Sequence, residues 1–97
     1  MTSLARTSSE VKHPYVQRVR GVCGGEPTIS GTRFIVRAVV EYVYHQGMSP
    51  KEMVREWGHL TLAQIHDALS YYHGHKDVID RLIHDNRELV ARKRVRA

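Results

Sequence analysis

Seven histidines, one cysteine and a glycine-rich stretch are the features of this 97-residue chain with the makings of chemistry. The stretch is GGEPTISGTRFIV, residues 24–36, where glycine, proline and threonine crowd together just before an apolar run. Such a loop could cradle a phosphate with its backbone N–H groups. The Walker pattern G-x-x-x-x-G-K-[ST] demands a lysine after its second glycine. Here Gly25 and Gly31 are followed by Thr32 and Arg33, at the wrong spacing. The dinucleotide fingerprint G-x-G-x-x-G and its βαβ unit are also missing. The stretch therefore reads as turns in which glycine supplies positive φ, ahead of a helical core.

The histidines do not assemble a metal site by spacing. His66 and His73 fall two helical turns apart, too far for one ion, and His45 belongs to another segment. His73 and His75 flank Gly74 and could chelate only loosely. No cysteine or carboxylate joins them at ligand spacing, so neither a metal nor another cofactor is expected. Cys23 is alone among glycines, cannot close an internal disulfide, and has no histidine in a defined relation to it. The chain reads as a non-enzyme.

Length allows one domain with a modest core. Apolar residues make up 41% and charged residues 26%, the balance of a folded soluble protein rather than a disordered one. The longest apolar runs are only a few residues, so no membrane span is expected. The N-terminus lacks an apolar stretch of signal-peptide length, which points to the cytoplasm. The net charge of +5 is unevenly spread. Residues 1–20 carry Arg6, Lys12, Arg18 and Arg20 against Glu10, and residues 86–97 carry Arg87, Arg92, Lys93, Arg94 and Arg96 against Glu88. The middle is slightly acidic. An anionic partner would meet the ends first.

These candidates need elements to position them. YVQRVR, residues 15–20, is β-prone, and PTIS with TRFIV flanks a tight turn at Ser30-Gly31. Val36, Val39, Val40 and Val43 then fall on one helical stripe, which Gly47 ends. Ser49-Pro50-Lys51-Glu52 is a capping box opening a second helix, with Met53, Val54 and Trp57 as its apolar face and Gly58 as its stop. Thr61 to Gln64 repeats that start signal for a third helix with Leu62, Ile65, Leu69 and Tyr72 as its stripe. A fourth runs from about Lys76 into the early nineties. The expected layout is an arm over residues 1–13, a hairpin and helical domain over 14–75, and a C-terminal helix with a basic tail over 76–97.

GVCGGEPTISGTRFIV and SPKEMVREWGHLTLAQIHDALSYYHGH, within residues 15–75, resemble the DUF433 family. Its members typically read as a Gly-Lys-Pro-x-Ile-x-Gly-Thr-Arg hairpin, a helix, and a Thr-x-x-Gln recognition-type helix ending in Ala-Leu-x-Tyr. Two positions depart: Glu26 stands where lysine is usual, and Gly58 where proline is common. The resemblance implies a mainly α fold, a short N-terminal β-hairpin on a trihelical, homeodomain-like helix-turn-helix, here with an additional C-terminal helix. It also implies an antitoxin whose partner resembles a PIN-like ribonuclease toxin holding metal with clustered carboxylates.

On this reading the third helix meets operator DNA through Gln64, His66 and Ser70, while an outward Asp67 would repel phosphate. That face has no lysine or arginine, so phosphate contact falls to Arg18, Arg20, Arg33 and Arg37; Arg37 could equally pair with Glu41 one turn on. Leu89 and Val90 followed by Arg92, Lys93, Arg94 and Arg96 suit a segment that docks on a partner. Ile79, Leu82, Ile83 and Asn86 offer a seam for a homodimer. The alternative is a protein–protein interaction adaptor of the same fold without DNA binding, which the acidic middle favours.

Overall fold

Two-residue strands begin the domain. Val16–Gln17 (β1) pairs antiparallel with Thr28–Ile29 (β2), Val16 opposite Ile29 and Gln17 opposite Thr28. A computed structural model describes residues 12–96, with side chains as far as Arg94; residues 1–11 of the expected arm lie outside the described residues. The β-prone YVQRVR segment thus yields a shorter strand than its composition suggests. Beyond it Cys23, Gly24 and Gly25 succeed one another at φ 50, 66 and 79, a backbone bend that two glycines make tolerable. The turn expected at Ser30-Gly31 forms, with Gly31 at φ 79. Ile29 N–H donates to the Phe34 carbonyl at 2.8 Å, and Thr28 bridges to Ile35. Its second arm makes only that bridge before the chain turns helical.

Four helices complete the described chain, which is mainly helical. The first, Val36–Val40 (α1), continues as a wider π-helical turn over Glu41–His45, closed by Gln46 N–H to the Glu41 carbonyl at 2.9 Å. The extra residue in that turn rotates the side chains after Val40 relative to the stripe. Val36, Val39 and Val40 are fully buried, whereas Val43 is only half-buried. Tyr42 instead reaches Trp57 at 4.7 Å between ring centroids, and Phe34 completes an aromatic trio. Widened turns of this kind re-aim side chains without ending the helix.

Pro50–Glu56 (α2) and Leu62–Gly74 (α3) both start where the sequence signals them. Ser49 Oγ accepts from Glu52 N–H at 3.1 Å, and Glu52 Oε1 accepts from Ser49 N–H at 2.9 Å. Thr61 and Gln64 repeat the exchange at 3.2 and 2.8 Å. The Ser49 backbone N–H, with the Ser49 hydroxyl, holds the Glu52 carboxyl below its usual range. Ile65, Ala68, Leu69 and Tyr72 of α3 are buried and meet α1, the most extensive contact between helices. Leu62, expected in that stripe, is 38% exposed because it lies in the first turn, outside the core.

Lys76–Arg96 (α4) runs from beside α3 out past the core, giving a molecule 60 Å long and 28 by 26 Å across. Ile79 and Ile83 belong to the core, and the Tyr72 hydroxyl donates to Asp80 at 2.8 Å, tying α4 to α3. Among the described residues no helix is long and apolar enough to cross a membrane. Burial, then the Asp80 bond and charge, push the Tyr72 phenol up to about 12. The unfolded chain ionises Tyr72 near its ordinary pH of about 10, so this contribution is complete below about 10 and is lost as pH rises toward about 12. Tyr72→Phe is expected to cost about 1 kcal/mol at neutral pH. Urea unfolding tracked by circular dichroism should show the gap between wild type and variant closing between about pH 10 and about 12.

Candidate functional site

A tight connection joins α2 to α3. Trp57 N–H donates to the Met53 carbonyl at 2.8 Å, Leu60 N–H to the Trp57 carbonyl at 3.0 Å, and the Leu60 side chain is buried beneath the turn. Two capped helices across a short, plugged corner are the parts of a helix-turn-helix, in which the second helix presents its outer face. The outer strip of α3 is Leu62, Ala63, His66, Ser70 and His73, all exposed. His73 Nε2 and the Tyr44 hydroxyl share a hydrogen bond of 2.7 Å.

Two residues assigned outward by sequence are committed elsewhere. The Gln64 Oε1 atom closes the Thr61 cap, so a bidentate grip on adenine, which needs both amide atoms, would break the helix start. Asp67 lies at the flank of α3, accepting from Tyr15 N–H at 2.8 Å and pairing with His13 Nδ1 at 2.9 Å. It does not stand out toward a phosphate. His13, whose side chain is only 10% exposed, therefore belongs to the folded body rather than to a loose arm, edge-on to Tyr71 at 5.2 Å. Tyr71 and His75 stack at 4.0 Å behind it.

The arginines divide into engaged and available. Arg37 is held by both oxygens of Glu26, at 3.1 and 3.2 Å, and lies 3.7 Å from Glu41. A guanidinium between two carboxylates has no net charge to offer phosphate, so Arg37 leaves the set of DNA candidates. Glu26, which departs from the lysine usual in the resemblance, is the residue that captures it. Arg18 spends its Nε on the Gly25 carbonyl at 3.0 Å and keeps its outer N–H groups. Arg18 and Arg20 line a shallow recess with Val19 and Gly25, and Arg33 is exposed. Among the described residues none of these three makes an ion pair.

On α4 the proposed seam is divided. Ile79 at 0% and Ile83 at 4% exposure are already covered by the chain's own core, which removes them from any interface. The heptad spacing identified an apolar stripe but could not say what lies against it. Leu82 and Asn86 are half-buried at the margin. Leu89 and Val90 are 50% and 41% exposed, and Arg92, Lys93 and Arg94 are exposed after them; the side chain of Arg96 lies outside the described residues. Arg87 reaches back to Glu41 at 3.7 Å. His84, Asp85 and Glu88 bring three ligand atoms within 4.8 Å of one another, all exposed. Spacing among the other histidines gives no hint of this turn, for which an i, i+1 and i+4 pattern was the available signal.

The family model described as "Protein of unknown function (DUF433)" matches residues 16–72. A crystal structure of a DUF433 member protein from Anabaena variabilis ATCC 29413 is similar at 33% sequence identity and a TM-score of 0.67, over 84% of this chain and 78% of that one. No curated protein matches the chain. Asp67→Ala removes the acceptor for Tyr15 N–H and His13 together, at an expected cost of about 1–3 kcal/mol. Hydrogen exchange should show the Tyr15 amide losing protection while the amides of α2 keep theirs; unchanged protection at Tyr15 would contradict the role given to Asp67.

Proposed function

We propose that this chain, which belongs to the DUF433 family, is an antitoxin-like DNA-binding regulator. In this reading the helix-turn-helix meets operator DNA, and the end of α4 meets a PIN-like ribonuclease toxin. The observation that carries it is the sorting of cations. Arg37 is neutralised internally, while Arg18, Arg20 and Arg33 at one place and Arg92, Lys93 and Arg94 at another make no ion pair among the described residues. Phosphate contacts dominate affinity for DNA, and arginines without a carboxylate partner can make them. His66 and Ser70 on the outer strip of α3 are the side chains left to touch base edges.

The distal part of α4 suits the second role. Leu89 and Val90 supply apolar contact, and the guanidinium groups beyond them match carboxylates bidentately. A nuclease that holds metal with clustered carboxylates would present that surface. An adaptor role without DNA is the second reading, favoured by the absence of lysine and arginine from the outer strip of α3.

Full-length variants distinguish the two. Arg18→Ala with Arg20→Ala and Arg33→Ala should weaken binding to duplex DNA and lower the slope of log affinity against log salt by about 2–3. Lys93→Ala with Arg94→Ala should instead relieve inhibition of a purified PIN-like ribonuclease and leave that slope nearly unchanged. Wild-type protein with no salt-dependent affinity for DNA in a fluorescence-anisotropy titration would exclude the regulator reading and leave the adaptor.

A further inference from the structure

We infer that α4 pairs antiparallel with α4 of a second copy of this chain, along a stripe different from the one that faces its own core. Ile79 and Ile83 point inward. About a third of a turn away, residues 78, 82, 85, 89 and 92 recur at alternating steps of four and three, the spacing of a coiled-coil seam. They are Val78, Leu82, Asp85, Leu89 and Arg92. Val78 is 59% and Leu89 50% exposed, Leu82 is half-buried with one flank on the core, and Asp85 and Arg92 are exposed. Among the described residues neither Asp85 nor Arg92 makes an ion pair.

Charge selects the occupant and its direction. Asp77, Asp80, Asp85 and Glu88 outnumber Lys76, Arg81 and Arg87 in the first part of α4, whereas the last carries Arg92, Lys93 and Arg94. A parallel partner would set Asp85 against Asp85 and Arg92 against Arg92. An antiparallel copy sets the acidic part of each helix along the basic part of the other. Arg92 of one copy then reaches Asp85 of its mate, twice over by symmetry, with the two Leu89 side chains between the pairs and each Leu82 just outside them. Val90 and Arg94 lie to another side, with Glu41, Asn86 and Arg87, and stay open. Pairing thus assigns Leu89 and Arg92 to the dimer and leaves Val90, Lys93 and Arg94 for a different partner. The inference deepens the proposed function, since a dimer would offer two copies of α3 to two half-sites, but its test uses no DNA and no nuclease, so either can fail without the other.

The experiment is size-exclusion chromatography with light scattering on full-length protein. Wild type is expected at twice the chain mass. Asp85→Arg leaves two arginines, and Arg92→Asp leaves two aspartates, at the paired positions. Each variant alone should raise the dimer dissociation constant about tenfold or more. Mixing the two variants should restore a dimer, because an arginine of one then meets an aspartate of the other at both positions. The weakening of each variant alone reports the antiparallel direction, since a parallel dimer sets like charges together in the wild type already. Both positions are exposed, and circular dichroism confirms that each variant is folded. A monomeric wild type, undiminished dimers of either variant, or folded variants that fail to combine on mixing would each overturn the inference.

Discussion

Ile65, Ala68, Leu69 and Tyr72 sink one side of α3 into the valine stripe of α1, and the placement of every other element depends on that contact. Each large apolar side chain removed from water contributes on the order of 2 kcal/mol, so this helix is the one the small core cannot do without. The same helix anchors its neighbours on three sides. Its cap fixes the corner from α2, its Asp67 holds Tyr15 and His13 at the chain's entry, and its Tyr72 holds Asp80 of α4. What remains of α3 is a narrow outer strip, and function on this helix is confined to it.

Charge obeys the same economy. The carboxylates of the folded body are largely spent on structure: Glu26 and Glu41 on Arg37, Asp67 on the entry segment, Glu52 on a helix start, Asp80 on a buried phenol. The slightly acidic middle of the sequence is thus less acidic as a surface than its formal charge suggests. Cations near the β1 segment and at the end of α4 have no such commitments among the described residues. Among the described residues, these cations without a carboxylate partner thus stand at two separate places, one beside the hairpin and one at the far end of the long helix.

Much of this was legible wherever the cause is local. Both capping boxes, the turns at Gly31 and Gly47 and the first three valines of the stripe depend on residues within a few positions of one another, and each formed as its pattern implies, whereas Val43 was turned aside by the wider π-helical turn. The Arg37–Glu41 pair was visible as one helical turn. The misread residues are those whose partners lie far along the chain. Asp67 meets groups 52 and 54 residues away, and Arg37 meets Glu26 across the hairpin, eleven positions back. No spacing rule reports such contacts. Ile79 and Ile83 failed differently: periodicity identified an apolar face, but whether that face covers its own core or a partner depends on how α4 is turned against α1 and α3, where both side chains join the core.

The most direct measurement is an amide NMR titration of full-length protein with a short DNA duplex at low salt. The expected result is a continuous set of shifts at Arg18, Arg20, Arg33, His66 and Ser70, with Asp67 and the α1 valines unmoved. Shifts that avoid the outer strip of α3 and gather on the acidic face around Asp77, Asp80 and His84, or that require α3 to come away from Tyr15, would contradict it.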